Sequence, residues 1–238
     1  MVFSDTVDNA GLVQDSEFIL GVTISSTGDY NIKDYARNSN RALDRATQVI
    51  ITSDGTWEFD DNNQTDMPIA TTNLVAAQQD YTMAATHLEI SRVEAKDAAG
   101  NWRKLQPFDQ SDLYDQSLTD FNKTDGDPLY YDKMGESIML YPAPLANVTA
   151  GLKIWFTRPP SYFTDAGTDT TKEPGFASIF HRYVSISASF DFAFIKSFES
   201  APILKQQIIN MEEDMRNFYS RRNKDEKITL KARPSNYE

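Results

Sequence analysis

From Asn9 to Val22 the chain reads NAGLVQDSEFILGV, with Leu12, Val13, Phe18, Ile19 and Leu20 at roughly helical spacing and Gly21 placed to end the helix. After a glycine-containing turn at SSTGDY, the segment IKDYARNSNRALDRATQVIITS sets Ile32, Tyr35, Ala36, Leu43, Ala46, Val49 and Ile50 on one face, with charges opposite. That spacing predicts a second helix ending near Ser53. The following DGTWEFDDNNQTDMPI mixes turn formers with an apolar knot at Trp57 and Phe59, and reads as a short strand running into a loop.

Beyond this loop the hydrophobic period changes to two. TTNLVAAQQDYTM, LEISRVEAKD, WRKLQPF, PLYYD, SIMLY and GLKIWFTR are short runs rich in apolar and aromatic residues, separated at DAAGN and DKMG by turns of hairpin type. Tyr130 and Tyr131 are expected to pair with Ile138 to Tyr141 across DKMGE. Pro142 and Pro144 remove two amide donors, so the second strand of that hairpin must leave its sheet or lie on an edge there. The chain returns with Leu152, Ile154 and Phe156 expected on one side, and Lys153, Trp155 and Thr157 on the other.

RPPSYFTDAGTDTTKEPG is poor in apolar residues and marks a boundary. Pro174 suits the first turn of a helix carrying Phe176, Ile179, Phe180, Tyr183, Ile186, Ser187, Phe190, Ala193, Phe194 and Ile195, apolar around most of its circumference. Ser200 is placed to cap a last helix with Pro202 in its first turn. In that helix Leu204, Ile208, Met211, Met215 and Phe218 recur at spacings of four and three, a stripe that core packing in a bundle accounts for. The end, RRNKDEKITLKARPSNYE, has no apolar stripe and holds six basic residues against three acidic ones.

These elements predict an α+β protein in which N- and C-terminal helices form one bundle and an antiparallel β-rich domain is inserted between them. The expected divisions are 1–53 for the first helices, 54–160 for the β domain, 161–174 for a linker, 175–220 for the last helices and 221–238 for a tail. At 238 residues, with 40% hydrophobic and 12% aromatic positions, the chain can bury a sizeable core.

The balance of 23 Lys and Arg against 35 Asp and Glu gives a formal charge of -12, which argues against general adhesion to phosphate backbones or anionic lipid. An acidic wall would instead suit a passage through which DNA slides. Cysteine is absent, so disulfides, thiolate metal sites and cysteine nucleophiles are excluded. The start MVFSDTVDN lacks a basic or apolar leader pattern, and no window reaches the ~18 apolar residues of a membrane span. The expectation is a soluble protein made in a reducing cytoplasm.

Chemistry-bearing patterns are sparse. DDNNQTD, Asp60 to Asp66, offers oxygen ligands at alternating positions, but lacks the glycine and distal glutamate of a specific calcium loop. A solvated Asx-turn loop explains it, and NKTDGD, Asn122 to Asp127, is first of all a turn. His87 and His181 are the available imidazoles, without a nucleophile elbow or an HExxH frame around them. Acidic clusters such as Asp60/Asp61 and Glu212/Glu213/Asp214 are expected in so acidic a chain. No phosphate-cradling glycine motif occurs, so no catalytic residue, cofactor or metal is assigned.

In order, ARNSNRALDRATQVI, WEFDDNNQTDMPIATTNLVAAQQDYTM, LEISRVEAKDAAGNWRKLQPFDQSD, YYDKMGESIMLYPAP and LKIWFTRPP resemble the head-to-tail adaptor proteins of tailed bacteriophages. These include the connector or tail tubular proteins beneath the portal. The likeness covers roughly Asn9 to Tyr219, is carried most by GNWRKLQPFDQSD and GESIMLYPAP, and continues into GFASIFHRYVSISASFDFA.

It implies a helical bundle carrying a β-rich domain, assembled as a dodecameric ring that joins capsid portal to tail around the DNA channel, without enzymatic activity. The implied partners are further copies of the chain, the portal, a tail tube or nozzle protein, and DNA passing without sequence-specific contact. The implied location is the head-tail junction of the virion, reached from the host cytoplasm. The resemblance further implies portal docking by the tail, with Arg221, Arg222, Lys224, Lys227, Lys231, Arg233 and Tyr237, and a tail- or neighbour-facing β region with Tyr130, Tyr131, Met139 and Tyr141. Two other classes stay open on the residues alone: a carbohydrate-binding or glycan-cleaving module using Trp57, Trp102 and Trp155 beside carboxylates, and a calcium-stabilised interaction domain built on DDNNQTD.

Overall fold

The helical stripes and the period-two runs separate in space as they do along the chain. The computed structural model describes residues 1–54, 63–97, 99–108, 124–164, 167 and 169–222. They fall into two compact units, one drawn from Met1–Trp57 and Tyr162–Glu238 and the other from Glu58–Ser161.

In the first unit, α1 (Leu12–Leu20) ends where Gly21 takes φ 65° and returns its N–H to the Glu17 carbonyl at 2.8 Å, a left-handed cap that a side chain would strain. A two-residue parallel ribbon, β1 (Ile24–Ser25) with β2 (Tyr30–Asn31), leads into α2 (Ile32–Asp54). A 3-10 turn at Ser178–Phe180 precedes α3 (Arg182–Ile195), and α4 (Ala201–Arg222) follows. The helix containing the aromatic run therefore starts at Arg182 rather than at Pro174. Phe176 lies before it, buried against His181 with ring centroids 5.5 Å apart.

α2 packs on α3 and α4, α1 packs on α3, and α3 packs on α4, so helices from both ends of the sequence share one bundle. Its centre holds Tyr35, Leu43, Ile50, Tyr183, Val184 and Met215, all essentially inaccessible. Burying each such apolar group stabilises the fold by about 1.5–3 kcal/mol. Buried hydroxyls must be satisfied in the same space. Tyr35 donates to the Leu12 carbonyl at 2.7 Å and accepts from Ser16 at 3.0 Å, tying α2 to α1, and burial pushes its pKa up.

The β unit holds two four-stranded sheets. One has the order β3 (Ile69–Leu74), β10 (Val148–Thr157), β5 (Glu89–Lys96), β6 (Trp102–Lys104), paired antiparallel throughout. The other has the order β4 (Asp80–Thr82), β9 (Ser137–Tyr141), β8 (Tyr130–Met134), β7 (Gln106–Pro107), antiparallel except where β7 runs parallel to β8. Leu74, Val93, Leu152 and Ile154 from the first sheet join Tyr81, Tyr131, Ile138 and Leu140 from the second in one buried cluster. The unit is a sandwich with one core face per sheet.

Two of the apolar runs divide between the sheets. TTNLVAAQQDYTM becomes β3 and β4, with Leu74 and Tyr81 both in the core and Ala77 at φ 60° in the turn between them. WRKLQPF becomes β6 and β7, hinged at Leu105, which is 1% exposed. The hairpin across DKMGE pairs Tyr130 with Tyr141 and Asp132 with Met139, and Gly135 supplies φ 61° in its turn. β9 lies between β4 and β8 and stops at Tyr141, after which the proline corner takes the chain out of the sheet. Where β10 meets β5, Trp155 pairs with Arg92 and Phe156 with Ile90, so Ser91 is the extra residue of a bulge on β5. β10 keeps its alternation, with Phe156 opposite the core residue Ile90, and Thr157, on the side of Lys153 and Trp155, is 9% exposed.

Candidate assembly surfaces

Alternation along β5, β6 and β10 sends Val93, Ala95, Leu152 and Ile154 into the core and the residues between them to the outer face. On that face Trp155 opposes Arg92, Lys153 opposes Glu94, Glu94 opposes Lys104, and Lys96 opposes Trp102. The Lys153 ammonium sits 3.9 Å from the Trp102 ring centroid and 5.1 Å from that of Trp155. Lys96 lies 4.9 Å over Trp102, and the Arg92 guanidinium 5.6 Å over Trp155. Glu94, buried to 8% exposure, is clasped by Arg92. Cations stacked on rings are worth about 0.5–1 kcal/mol each at exposed sites, so this face is braced as well as charged. It carries four cations against two carboxylates, Glu94 and, at the far end of β5, Glu89, in a chain of formal charge -12.

The outer face of the second sheet is built by the same alternation, with Asp80, Met139 and Asp132 forming one cross-strand row and Tyr130 with Tyr141 forming another that Phe108 covers, so the open part of this face lies towards β4. Asp80 is exposed, as is Glu136 in the adjoining turn. Lys133 contributes no charge to this row, because it is paired with Ile138 and donates to the Ile90 carbonyl at 3.1 Å. Among the described strand residues, this face has no Lys or Arg turned outward.

Of the residues expected to face a neighbour, Tyr131 is 7% exposed with its ring in the sandwich core, and Tyr141 is 1% exposed with Phe108 at 5.4 Å between ring centroids. Tyr130 and Met139 remain partly accessible. Of the basic docking residues, Arg221 is exposed at the end of α4, and Arg222 ends that helix. Lys224, Lys227, Lys231, Arg233 and Tyr237 lie outside the described residues.

The helical unit exposes large apolar side chains at Phe18, Ile179, Phe194, Ile195 and Ile203, each more than half accessible. Phe18, Phe194 and Ile195 belong to stretches that the sequence reads as core-facing. It also has a cleft of about 460 Å³ bordered by α2, α3 and α4. There Glu212 takes two bonds from Arg45, at 2.9 and 2.8 Å, and one from the Tyr183 hydroxyl at 3.1 Å. The hydrogen bonds from Arg45 hold its carboxyl below the usual glutamate range. Asp191, in the same cleft, is pushed up by burial, which Arg41 opposes. The cleft carries a structural ion pair rather than a nucleophile beside a base.

The other sequence candidates have structural employment. His181 is wholly buried, with Nε2 2.8 Å from the Phe176 carbonyl and Nδ1 2.6 Å from the Met1 amine. His87 stacks on Phe156 at 3.8 Å, and burial lowers its pKa. In DDNNQTD, Asn63 exchanges bonds with Ser161 at 2.9 and 3.3 Å, and Asp66 pairs with Arg158, so this half of the loop fastens the end of the β10 segment. Asp60 and Asp61, like Trp57, lie outside the described residues, as do Asn122 and Lys123 of NKTDGD. Among the described residues no group of three His, Cys, Asp or Glu is arranged to hold a metal ion, and no helix is long and apolar enough to cross a membrane.

The cation-tryptophan face went unrecognised in the sequence. Its signal was present as Arg92, Glu94 and Lys96 in SRVEAK, Trp102 and Lys104 in WRK, and Lys153 and Trp155 in LKIW, each set two apart. Such alternation names a face only once the register of three strands is known.

The sequence model of the family described as SU10 adaptor protein matches residues 11–221. No curated protein matches the chain.

Proposed function

Because the chain belongs to the SU10 adaptor protein family, and is a phage structural protein of adaptor type, we propose that it forms a ring beneath the portal, joining capsid to tail and lining the channel through which DNA leaves. The observation that carries this reading is the match over 11–221, which spans both the helical bundle and the inserted β unit. The partners in this reading are further copies of the chain, twelve in the arrangement that the resemblance implies, with the portal on one side and a tail tube or nozzle protein on the other. Its place is the head-tail junction, and its role requires no catalysis.

Charge supports the DNA passage. A net formal charge of -12 disfavours adhesion to a phosphate backbone. The basic segment after Ser220 is assigned to the portal, where opposite charge orients docking more than it tightens it. The β region with Tyr130 and Met139 is assigned to a neighbouring subunit or the tail.

A glycan-binding role finds less support. The Trp102 and Trp155 rings are occupied by Lys153, Lys96 and Arg92, and the carboxylate beside them, Glu94, is engaged by Arg92. A flat stacking platform with a free carboxylate pair is what that chemistry requires.

The test is deletion of the residues after Ser220, with portal binding measured by co-sedimentation. The shortened chain should keep its far-ultraviolet circular dichroism and lose most of its portal binding. Undiminished binding would remove the tail from the interface.

A further inference from the structure

We infer that the two outer faces of the β sandwich are the two halves of one contact between copies of this chain. The cation-tryptophan face of β10, β5 and β6 on one protomer meets the acidic face of β4, β9 and β8 on the next. This rests on the ring reading above and specifies the surfaces that would make the ring.

Charge is the first observation. From Glu58 to Ser161 the sequence holds 8 Lys and Arg against 16 Asp and Glu, so a random face of this unit would be acidic. Four of those eight cations, Arg92, Lys96, Lys104 and Lys153, share one face with two carboxylates, Glu94, which Arg92 engages, and Glu89 at the far end of β5. Others of the eight are drawn away from it: Arg103 pairs with Asp97 at 3.1 Å, Arg158 with Asp66, and Lys133 with a backbone carbonyl. The opposite sheet turns Asp80 outward, with exposed Glu136 in the adjoining turn.

Geometry is the second. Sheets packed over a common core present outer faces in opposite directions. A molecule with complementary charge on opposed faces associates head to tail, a heterologous contact that closes into a ring when its rotation closes. Two such basic faces, or two such acidic faces, would repel, so the contact selects head-to-tail over two-fold pairing.

The cations are also held in place before contact. Lys153 stands between the Trp102 and Trp155 rings, and Arg92 is fixed by Glu94 and Trp155. Charges already fixed lose little side-chain freedom on docking. A phosphate backbone is a poorer occupant, since Glu94 lies among the cations and the rest of the chain repels it.

The experiment uses the full chain and two double variants. Lys96→Glu with Lys104→Glu makes both faces acidic, and Asp80→Lys with Glu136→Lys makes both basic. Masses are measured by sedimentation at low and high salt, with portal present and absent, alongside melting midpoints that establish folding. The wild type should assemble, each variant alone should associate on the order of 100-fold more weakly, and an equimolar mixture of the two should recover assembly by alternating.

Folded variants that assemble like the wild type would overturn the contact, as would a mixture that fails to recover. Unchanged assembly with retention of a fluorescent duplex that the Lys96→Glu, Lys104→Glu variant loses would also overturn it, giving the face to phosphate. A wild-type chain that stays monomeric with and without portal would sink the ring reading itself. A wild-type ring beside unaffected variants would remove this contact alone. If one variant fails to fold, the other still decides, because each breaks the same contact from its own side.

Discussion

Replacing Glu212 by Gln tests whether the bundle is held across its helices by one carboxylate. Glu212 on α4 accepts from Arg45 of α2 at 2.9 and 2.8 Å, from Tyr183 of α3 at 3.1 Å, and from Arg216 one turn along at 3.2 Å. Its side chain is 13% exposed while that of Arg45 is 48% exposed, so the pair lies between the buried and surface limits. Breaking a buried pair costs about 3–5 kcal/mol and an exposed one about 0–1 kcal/mol. Glutamine keeps the acceptor for Tyr183 and one bond to Arg45, which places the loss at about 1–2 kcal/mol.

The sign of its pH dependence follows from the depressed carboxyl. A glutamate whose folded pKa lies below its unfolded value adds stability that is complete above the unfolded value, about 4.3. That stability fades as pH falls through the folded value. Urea unfolding followed by the helical circular dichroism signal, from neutral pH downward, should show the gap between wild type and Glu212→Gln narrowing over that acid window. A gap that stays constant with pH, or is absent at neutral pH, would refute the assigned role.

Tyr35→Phe should cost about 0.5–1.5 kcal/mol in the same assay, since it removes two buried hydrogen bonds while Ser16 keeps its bond to the Ser185 carbonyl; no measurable loss would mean that the hydroxyl does not tie α2 to α1. Gly135→Val should destabilise the β8–β9 hairpin by about 1–2 kcal/mol, read as a lower melting midpoint, because a β-branched residue resists its φ of 61°. Chelator and added Ca²⁺ should leave the melting midpoint unchanged, Asn63 and Asp66 being occupied by Ser161 and Arg158; a rise with Ca²⁺ would reopen DDNNQTD as a metal loop.

Periodicity carried the α+β class, the shared bundle and the hairpin across DKMGE, because each depends on contacts near in sequence or on stripes too apolar to leave uncovered. The start of α3 was misplaced because Pro174 suits a first helical turn but does not oblige one, and Phe176 finds its cover beside His181 instead. The division of WRKLQPF between two sheets depends on Leu105 reaching the common core, a tertiary fact without local signature. Phe18, Phe194 and Ile195 read as core by type yet stand exposed, because type and spacing do not say how much of a helix its neighbours cover. The charge segregation of the sandwich was hidden for a related reason: total charge reports an average, whereas the faces depend on which residues register side by side.

The central claim is that this chain is a ring-forming adaptor, and the mass of the purified wild-type protein with and without its portal tests it most directly. Light scattering combined with negative-stain images should give a closed ring of multiple copies with a central lumen, formed alone or on the portal. A particle of monomer mass under both conditions, with no association with the portal, would contradict it.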